Sequence, residues 1–213
     1  MRAPEAAARP RDAASLVLLR DSPEGPEVLL GRRPATARFM PEVYVFPGGA
    51  LEPEDHAASG LPEAFAGLPP ATDAATAALH PALVRCALRE LHEETGLLLT
   101  AGALTGPAGA ATGAATGVWG GYRAAARCPG FAGLSLVFRA ITPPSLPIRF
   151  DTRFFRADGG ALEGRLGGSG ELEDLAWWPV TTLDALPLRQ VTRAALAAAL
   201  ASPEGSKGRA RGL

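Results

Sequence analysis

The spacing of apolar residues changes several times along the chain, and each change predicts an element. Ala14–Leu19 (ASLVLL) is apolar except for Ser15, a short run expected of a buried strand. Asp21–Gly25 (DSPEG) supplies turn chemistry, and Glu27–Arg32 (EVLLGR) reads as the hairpin partner. A third strand, Val43–Phe46, ends at Pro47-Gly48-Gly49, because proline and paired glycines do not extend a ladder. From Pro81 to Thr95 the period becomes helical. Val84, Ala87, Leu88 and Leu91 form one apolar stripe, and Gly96 stands where a left-handed C-terminal cap is wanted. His80-Pro81 marks the expected start, since the residue before proline is driven out of helical conformation. A small helix capped by Asp73 is expected to run to Leu79. Leu97–Thr100, Phe150–Ala157 and Leu172–Val180 read as further strands. Thr181–Leu186 and Gln190–Ala201 read as closing helices, and the low-complexity Ala101–Gly121 as a surface loop. Strands around one central helix, closed by another, predict an α/β architecture with a mixed sheet between helices.

Composition narrows the function classes. A chain of 213 residues, 47% apolar and 20% charged, suits one globular domain. The 21 basic and 22 acidic residues nearly cancel, which leaves no electrostatic footprint for nucleic acid or an anionic membrane surface. No apolar run approaches bilayer-crossing length. Cys86 and Cys128 lack CxxC spacing and a neighbouring His cluster, so neither a disulfide framework nor a zinc site is expected, and a reducing, cytoplasmic setting fits. Residues 1–12 and 203–213 read as disordered tails around a domain at 13–202, with an insert at about 56–80.

The chemistry concentrates in Arg89-Glu90-Leu91-His92-Glu93-Glu94-Thr95-Gly96. On a helix Glu90, Glu93 and Glu94 stand at i, i+3 and i+4 and share a face. Like charges so placed destabilise an isolated helix by roughly 0.2–0.5 kcal/mol per pair. A hard divalent cation, Mg²⁺ or Mn²⁺, offsets that repulsion. Arg89, four residues before Glu93, is placed to hold its carboxylate. By themselves the three glutamates read equally well as a solvated helix face. Context shifts the balance: upstream lies Phe46-Pro47-Gly48-Gly49, whose glycines allow a tight turn and close backbone approach, followed by Glu52 and Asp55.

Together these residues resemble the Nudix box, in which a Gly-Gly turn and an acidic loop lead into a helix bearing Arg-Glu-x-x-Glu-Glu-x-Gly. Gly48-Gly49, Glu52 and Asp55 look like the first part, and Arg89–Gly96 matches the second. The resemblance implies a Nudix-type α/β/α sandwich. It implies metal binding by Glu90, Glu93, Glu94 and the Gly48 carbonyl, and supporting roles for Arg89, Glu52 and Asp55. It also implies a further acid from a later loop, for which Glu171 is the candidate and Glu173 the reserve. Either Glu93 or Glu171 would take the proton of the attacking water. The implied reaction is Mg²⁺- or Mn²⁺-assisted hydrolysis of a phosphoanhydride in a nucleoside-diphosphate-linked small molecule, with coenzyme A or a dinucleotide as the candidates. The alternative is a Nudix-like module that binds a nucleotide and regulates without hydrolysis. Two departures stand out. Gly49 and Arg89 are 40 positions apart, about 26 more than in the continuous box, and Asp55 replaces the usual glutamate. An inserted loop costs little, since each doubling of its length adds about 0.6 kcal/mol. The insert and Phe39-Met40-Pro41 resemble a branch that includes peroxisomal coenzyme A diphosphatases, although Glu42 stands where other coenzyme A-cleaving members have glycine.

Arg33 and Arg38, just upstream of the turn, are the expected substrate-binding cations, ahead of Arg149, Arg153 and Arg156 on a later strand. Phe154 and Phe155 are expected in the core. Trp177 and Trp178 point to opposite strand faces, one packing inside and the other toward a cleft. His80, His92 and Cys86 are read as structural, and homodimerisation stays open.

Overall fold

The computed structural model describes residues 8–61, 74–104 and 117–202. β1 (Arg11–Ser22) and β2 (Gly25–Arg32) form the expected hairpin around the Asp21–Gly25 turn. β1 starts at Arg11, inside the residues read as a tail, because it pairs in parallel with β8 (Phe150–Asp158) from Arg11 onward. Two short strands, β3 (Tyr44–Val45) and β4 (Gly48–Ala50), attach to β2 and β1 respectively. With β7 (Ser135–Ile141) and β10 (Glu173–Pro179) they complete a seven-stranded mixed sheet whose main order is β10-β2-β1-β8-β7. A smaller three-stranded sheet joins β5 (Leu97–Ala103), β6 (Arg127–Pro129) and β9 (Leu162–Gly164).

Two helices cover opposite faces of the large sheet. α1 (Ala74–Thr95) buries Leu83, Ala87, Leu88 and Leu91 against Leu16, Leu18, Leu29 and Phe155. α3 (Gln190–Ala201) buries Ala195, Leu196 and Ala199 against Val17, Leu19, Val28 and Phe154. The continuous apolar runs of β1 and β2 are explained by this arrangement, since both faces of each strand are covered. The sheet between helices is the predicted α/β/α sandwich.

Several expectations are corrected. α1 runs through Pro81 rather than starting there. Packing of Leu79 and Leu83 onto the core outweighs the roughly 3 kcal/mol that an interior proline costs. Asp73 lies outside the described residues, as do the terminal segments 1–7 and 203–213. Within the expected loop Ala101–Gly121, β5 extends to Ala103 and α2 (Gly117–Ala124) begins at Gly117; Val118 and Tyr122, one helical turn apart, pack with Leu61 and Leu98. The closing helix at Thr181–Leu186 is a 3-10 helix at Val180–Ala185. β6 and β7 fall in a stretch with no element assigned from sequence. No helix among the described residues is long and apolar enough to cross a membrane.

Candidate active site

The site grows from the end of β3. The chain turns at Pro47, whose carbonyl accepts from the Leu16 N–H and the Ser15 hydroxyl, and returns as β4 alongside β1. Glycine is required twice here. A Cβ at Gly48 would lie 2.5 Å from the Ala14 carbonyl oxygen, and one at Gly49 would lie 2.1 Å from Oε1 of Glu90. The turn is therefore in van der Waals contact with α1, 41 residues later in sequence (90 − 49).

The acidic turn after β4 is held to α1 by arginines: Arg85 donates to the Asp55 carbonyl at 3.1 Å, and Arg89 binds the Asp55 carboxylate. Asp55, in a 3-10 turn at Pro53–His56, is 2% exposed. Arg89 grips it with Nε to Oδ1 at 3.0 Å and Nη2 to Oδ2 at 2.9 Å. Its Nη1 reaches Glu90 at 2.9 Å and Glu93 at 3.0 Å, and Nη2 also donates to the Ala50 carbonyl at 3.2 Å. Three of these bonds, two to Asp55 and one to Ala50, tie the helix to the turn despite the insert, and the two within α1 hold Glu90 and Glu93. The expected Arg89–Glu93 pair is present as one arm of this clamp. Asp55 serves in place of a longer glutamate. Glu52, itself exposed, contributes its backbone N–H to Asp55 Oδ2 at 2.9 Å.

Of the acidic residues singled out by sequence, Glu90, Glu94 and Glu171 line one cavity of about 820 Å³ together with Gly48, Gly49 and Arg33. Glu94 is 4% exposed and accepts from the Gly48 N–H at 2.8 Å. Burial lifts its carboxyl to about 8; the Gly48 N–H counters that lift, and the charges of Glu90 and Glu171 reinforce it. Burial likewise lifts Glu90 to about 7, opposed by Arg89 and reinforced by Glu93 and Glu171. Glu171, on the exposed loop before β10, faces the same space without being buried. Glu93 stands apart, its side chain 44% exposed and turned to Arg89 rather than to the cavity. Glu173 is bound to Arg32 at 2.7 Å on the surface.

These residues fit a hard divalent cation. Two buried carboxylates and a third facing the same space form an all-oxygen donor set, and their mutual repulsion is what a cation relieves. Among the described residues no three acidic, His or Cys groups are drawn into a closed cage.

The basic residues divide differently from expectation. Arg33 lines the cavity, donates Nε to the Phe39 carbonyl at 2.8 Å, and opposes the rise at Glu94. Arg38 lines a smaller adjoining hollow instead. Arg153 is unavailable to a phosphate: its side chain is 1% exposed and pairs with Asp12 and Asp151. Arg149 donates to the carbonyls of Thr142 and Ala8, and Arg156 to that of Ser202. Neither tryptophan lines the cavity, correcting the expectation of a cleft-facing ring. Trp177 packs against the α1-side core under Arg20, and Trp178 packs against the α3-side core edge-on to Tyr44. Phe154 and Phe155 are both core, and Phe154 also reaches the cavity wall. His80 stacks on Phe155, and Cys86 is fully buried. Arg11, Arg189 and Thr192 line the cavity and carry no local sequence signal; only strand pairing and helix placement bring them there.

No protein-family model matches the chain, and no curated protein does. Solved structures do match. The chain is similar to a Nudix hydrolase from Alicyclobacillus acidocaldarius, with 34% identity over 93% of this chain and 95% of that one and a TM-score of 0.68. It shares its fold with the Nudix domain of Shewanella oneidensis NrtR, solved as a complex with ADP ribose, at 14% identity over 93% and 92% of the two chains and a TM-score of 0.52.

Proposed function

The chain belongs to the Nudix hydrolase family, and from that premise we propose that it cleaves a phosphoanhydride bond in a nucleoside-diphosphate-linked small molecule at the Glu90–Glu94–Glu171 cavity. The observation that carries this reading is the convergence of those three carboxylates, the Gly48-Gly49 turn and Arg33 on one cavity large enough for a nucleotide conjugate.

Glu90, Glu94 and Glu171, which line the cavity, are the residues that would hold Mg²⁺ or Mn²⁺, with the Gly48 carbonyl and Glu93 as further candidate ligands. Such a cation, when bound, neutralises charge developing on the phosphates and lowers the pKa of a bound water. The chain's own groups do the rest. The Arg33 guanidinium, in the cavity wall, pairs with a phosphate oxygen and orients the diphosphate. The Gly48-Gly49 backbone, bare of side chains, packs directly against Glu90 and so sets the turn beside the acidic face of α1. Arg89 touches no substrate; it positions Glu90 and Glu93 through the clamp on Asp55. Glu171 is the proposed general base, because its carboxylate faces the cavity without an arginine to neutralise it and can take the proton of the attacking water. Glu93, held by Arg89, is less well placed for that step.

A binding-only regulatory module would gain nothing from two carboxylates held at the cost of burial, so hydrolysis is the better reading. Incubation with Mg²⁺ and a panel of coenzyme A, NADH, ADP-ribose and nucleoside triphosphates tests it. Turnover of at least one compound, lost in Glu94→Gln with the fold retained, is expected. Metal-independent binding without turnover of any panel member would replace hydrolysis with the regulatory reading.

A further inference from the structure

Glu171 is exposed, yet the chain on both sides of it is tied down. Upstream, the glycine-rich segment 164–170 lies on the C-terminal end of α1. The Gly167 N–H donates to the Thr95 carbonyl at 2.9 Å. A Cβ at Gly168 would stand 2.7 Å from the Glu94 carbonyl oxygen, and one at Gly96 would stand 2.8 Å from the Gly167 carbonyl oxygen. The segment leading to Glu171 is therefore in backbone contact with the residue that supplies one of the buried carboxylates.

Downstream, the chain enters β10 through a bulge. Glu173 pairs with Arg32 and Ala176 with Leu30, so Asp174 and Leu175 together oppose Gly31. Asp174 holds φ 47°, and a non-glycine residue persists in the left-handed region only where its surroundings fix it. Here the Tyr44 hydroxyl donates to Oδ2 of Asp174, and Arg32 binds Glu173 beside it. Leu172 is buried against Gly31, where an added Cβ would lie 2.8 Å from the Leu172 Cβ. Tyr44 is itself 6% exposed and edge-on to Trp178, so its hydroxyl reaches Asp174 from a rigid base. Bulges beside active sites re-aim the side chains of their strand. This one stands three residues after Glu171 and sets the direction from which the chain leaves the cavity wall. Tyr44 does not line the cavity, so any effect it has there passes through Asp174 and the loop.

We propose that Tyr44 is a positioning residue for Glu171: its hydroxyl fixes Asp174 in the bulge, and the bulge holds the Glu171 carboxylate toward Glu90 and Glu94. The inference rests on the proposed hydrolase reading, in which Glu171 takes the proton of the attacking water. An exposed glutamate on a loose loop spends little of its time in line with that water, and a displacement of about 1 Å can cost on the order of 10²-fold in rate.

Tyr44→Phe keeps the ring and removes the donor. With a compound that the chain turns over, it is expected to lower kcat about 10–100-fold and leave KM within about twofold, the pattern of a contribution made only in the transition state. In a Glu171→Gln chain the same substitution is expected to change kcat by less than about twofold, because a residue that acts only through Glu171 has nothing left to position. Asp174→Gly removes the other partner without straining the left-handed backbone and is expected to match the loss in Tyr44→Phe to within about threefold. Hydrogen exchange of the free chain needs neither metal nor substrate. The amides of residues 171–175 are expected to exchange about tenfold faster in Tyr44→Phe, the scale of one lost hydrogen bond to a charged group. Thermal melting verifies that each variant is folded. Wild-type kcat in Tyr44→Phe overturns the proposal, as does unchanged exchange. So does an equal loss of kcat in the Glu171→Gln background, which would route the effect through the Gly48-Gly49 turn or Arg33. Full turnover by Glu171→Gln overturns the base assignment and the proposal with it. The exchange difference would persist in that case, which marks the failure as one of the proposed chemistry rather than of the Tyr44–Asp174 bond.

Discussion

α1 and α3 lie on opposite faces of the same sheet, and they handle charge in opposite ways. α1 buries Arg89, Glu90 and Glu94 below 10% exposure and ties the guanidinium to Asp55, Glu90, Glu93 and the Ala50 carbonyl. α3 buries only small and aliphatic residues besides Thr192, and the exposed Arg189 at its start pairs with no carboxylate among the described residues. The first arrangement is costly to assemble, because each buried charge loses water and must find protein donors. It yields carboxylates fixed in place before any ligand arrives. The second is inexpensive and leaves its cation free to meet a ligand. Catalysis by fixed carboxylates needs the first kind of arrangement.

The contrast is sharpest in turnover. Glu94→Gln and Glu171→Gln are each expected to lower kcat by on the order of 10²–10⁴, the range for loss of charge stabilisation or a general base, with melting temperature retained. Steady-state assays at saturating Mg²⁺ measure this, and near-wild-type kcat in both variants would return the acidic face to mere surface. Arg89→Ala strands the buried Asp55 and Glu90 and should destabilise the fold by about 3–5 kcal/mol in chemical denaturation, with Arg89→Lys recovering part of it. A loss below about 1 kcal/mol would reclassify the clamp as an exposed-type ion pair.

Next in size is Gly49→Ala, whose methyl group must displace the Glu90 carboxylate; about 1–3 kcal/mol of stability and a fall in kcat are expected together. The charge burial on α1 also has a pH signature. Glu90 and Glu94 sit at about 7 and about 8 in the folded chain, above the ordinary carboxylate range of an unfolded one. The folded state therefore holds extra protons between those limits, and stability present in mild acid is lost as pH rises through 7 to 8. In EDTA the melting temperature should fall from pH 5 to pH 8.5, and Glu94→Gln should flatten that slope. A melting temperature that climbs over the range contradicts it. The smallest effect belongs to the outer face of α3: Leu200→Ser, at a 43% exposed position, should change stability by less than about 0.5 kcal/mol.

Much of α1 was legible because its signals are local. The stripe Val84, Ala87, Leu88, Leu91 and the i, i+3, i+4 carboxylates depend only on the helical repeat, and the Gly48-Gly49 turn depends only on backbone freedom. The Gln190–Ala201 helix was equally readable, with matching bounds. The misses were non-local. Strand β1 gains Arg11 through parallel pairing with a strand whose partner residue is Phe150, 139 positions on (150 − 11). Pro81 is carried inside a helix by packing that no local rule weighs. The sequence placed Glu93 and Glu94 on one helix face but gave no means to tell which turns toward the cavity. Consecutive residues differ by about 100° around the axis, and only the position of the Gly-Gly turn decides between them.

Sequence alone determined the alternation of strands and helices, the acidic face and its guanidinium neighbour, and so the family and the class of chemistry, because covalent order and the 3.6-residue period fix those relations. Tertiary structure alone decided that Asp55 crosses an insert to meet Arg89, that Glu171 joins Glu90 and Glu94, and that the start of α3 shares their cavity. Those are contacts between segments dozens of residues apart, set by how sheet and helices bury their apolar faces rather than by any pattern within one segment.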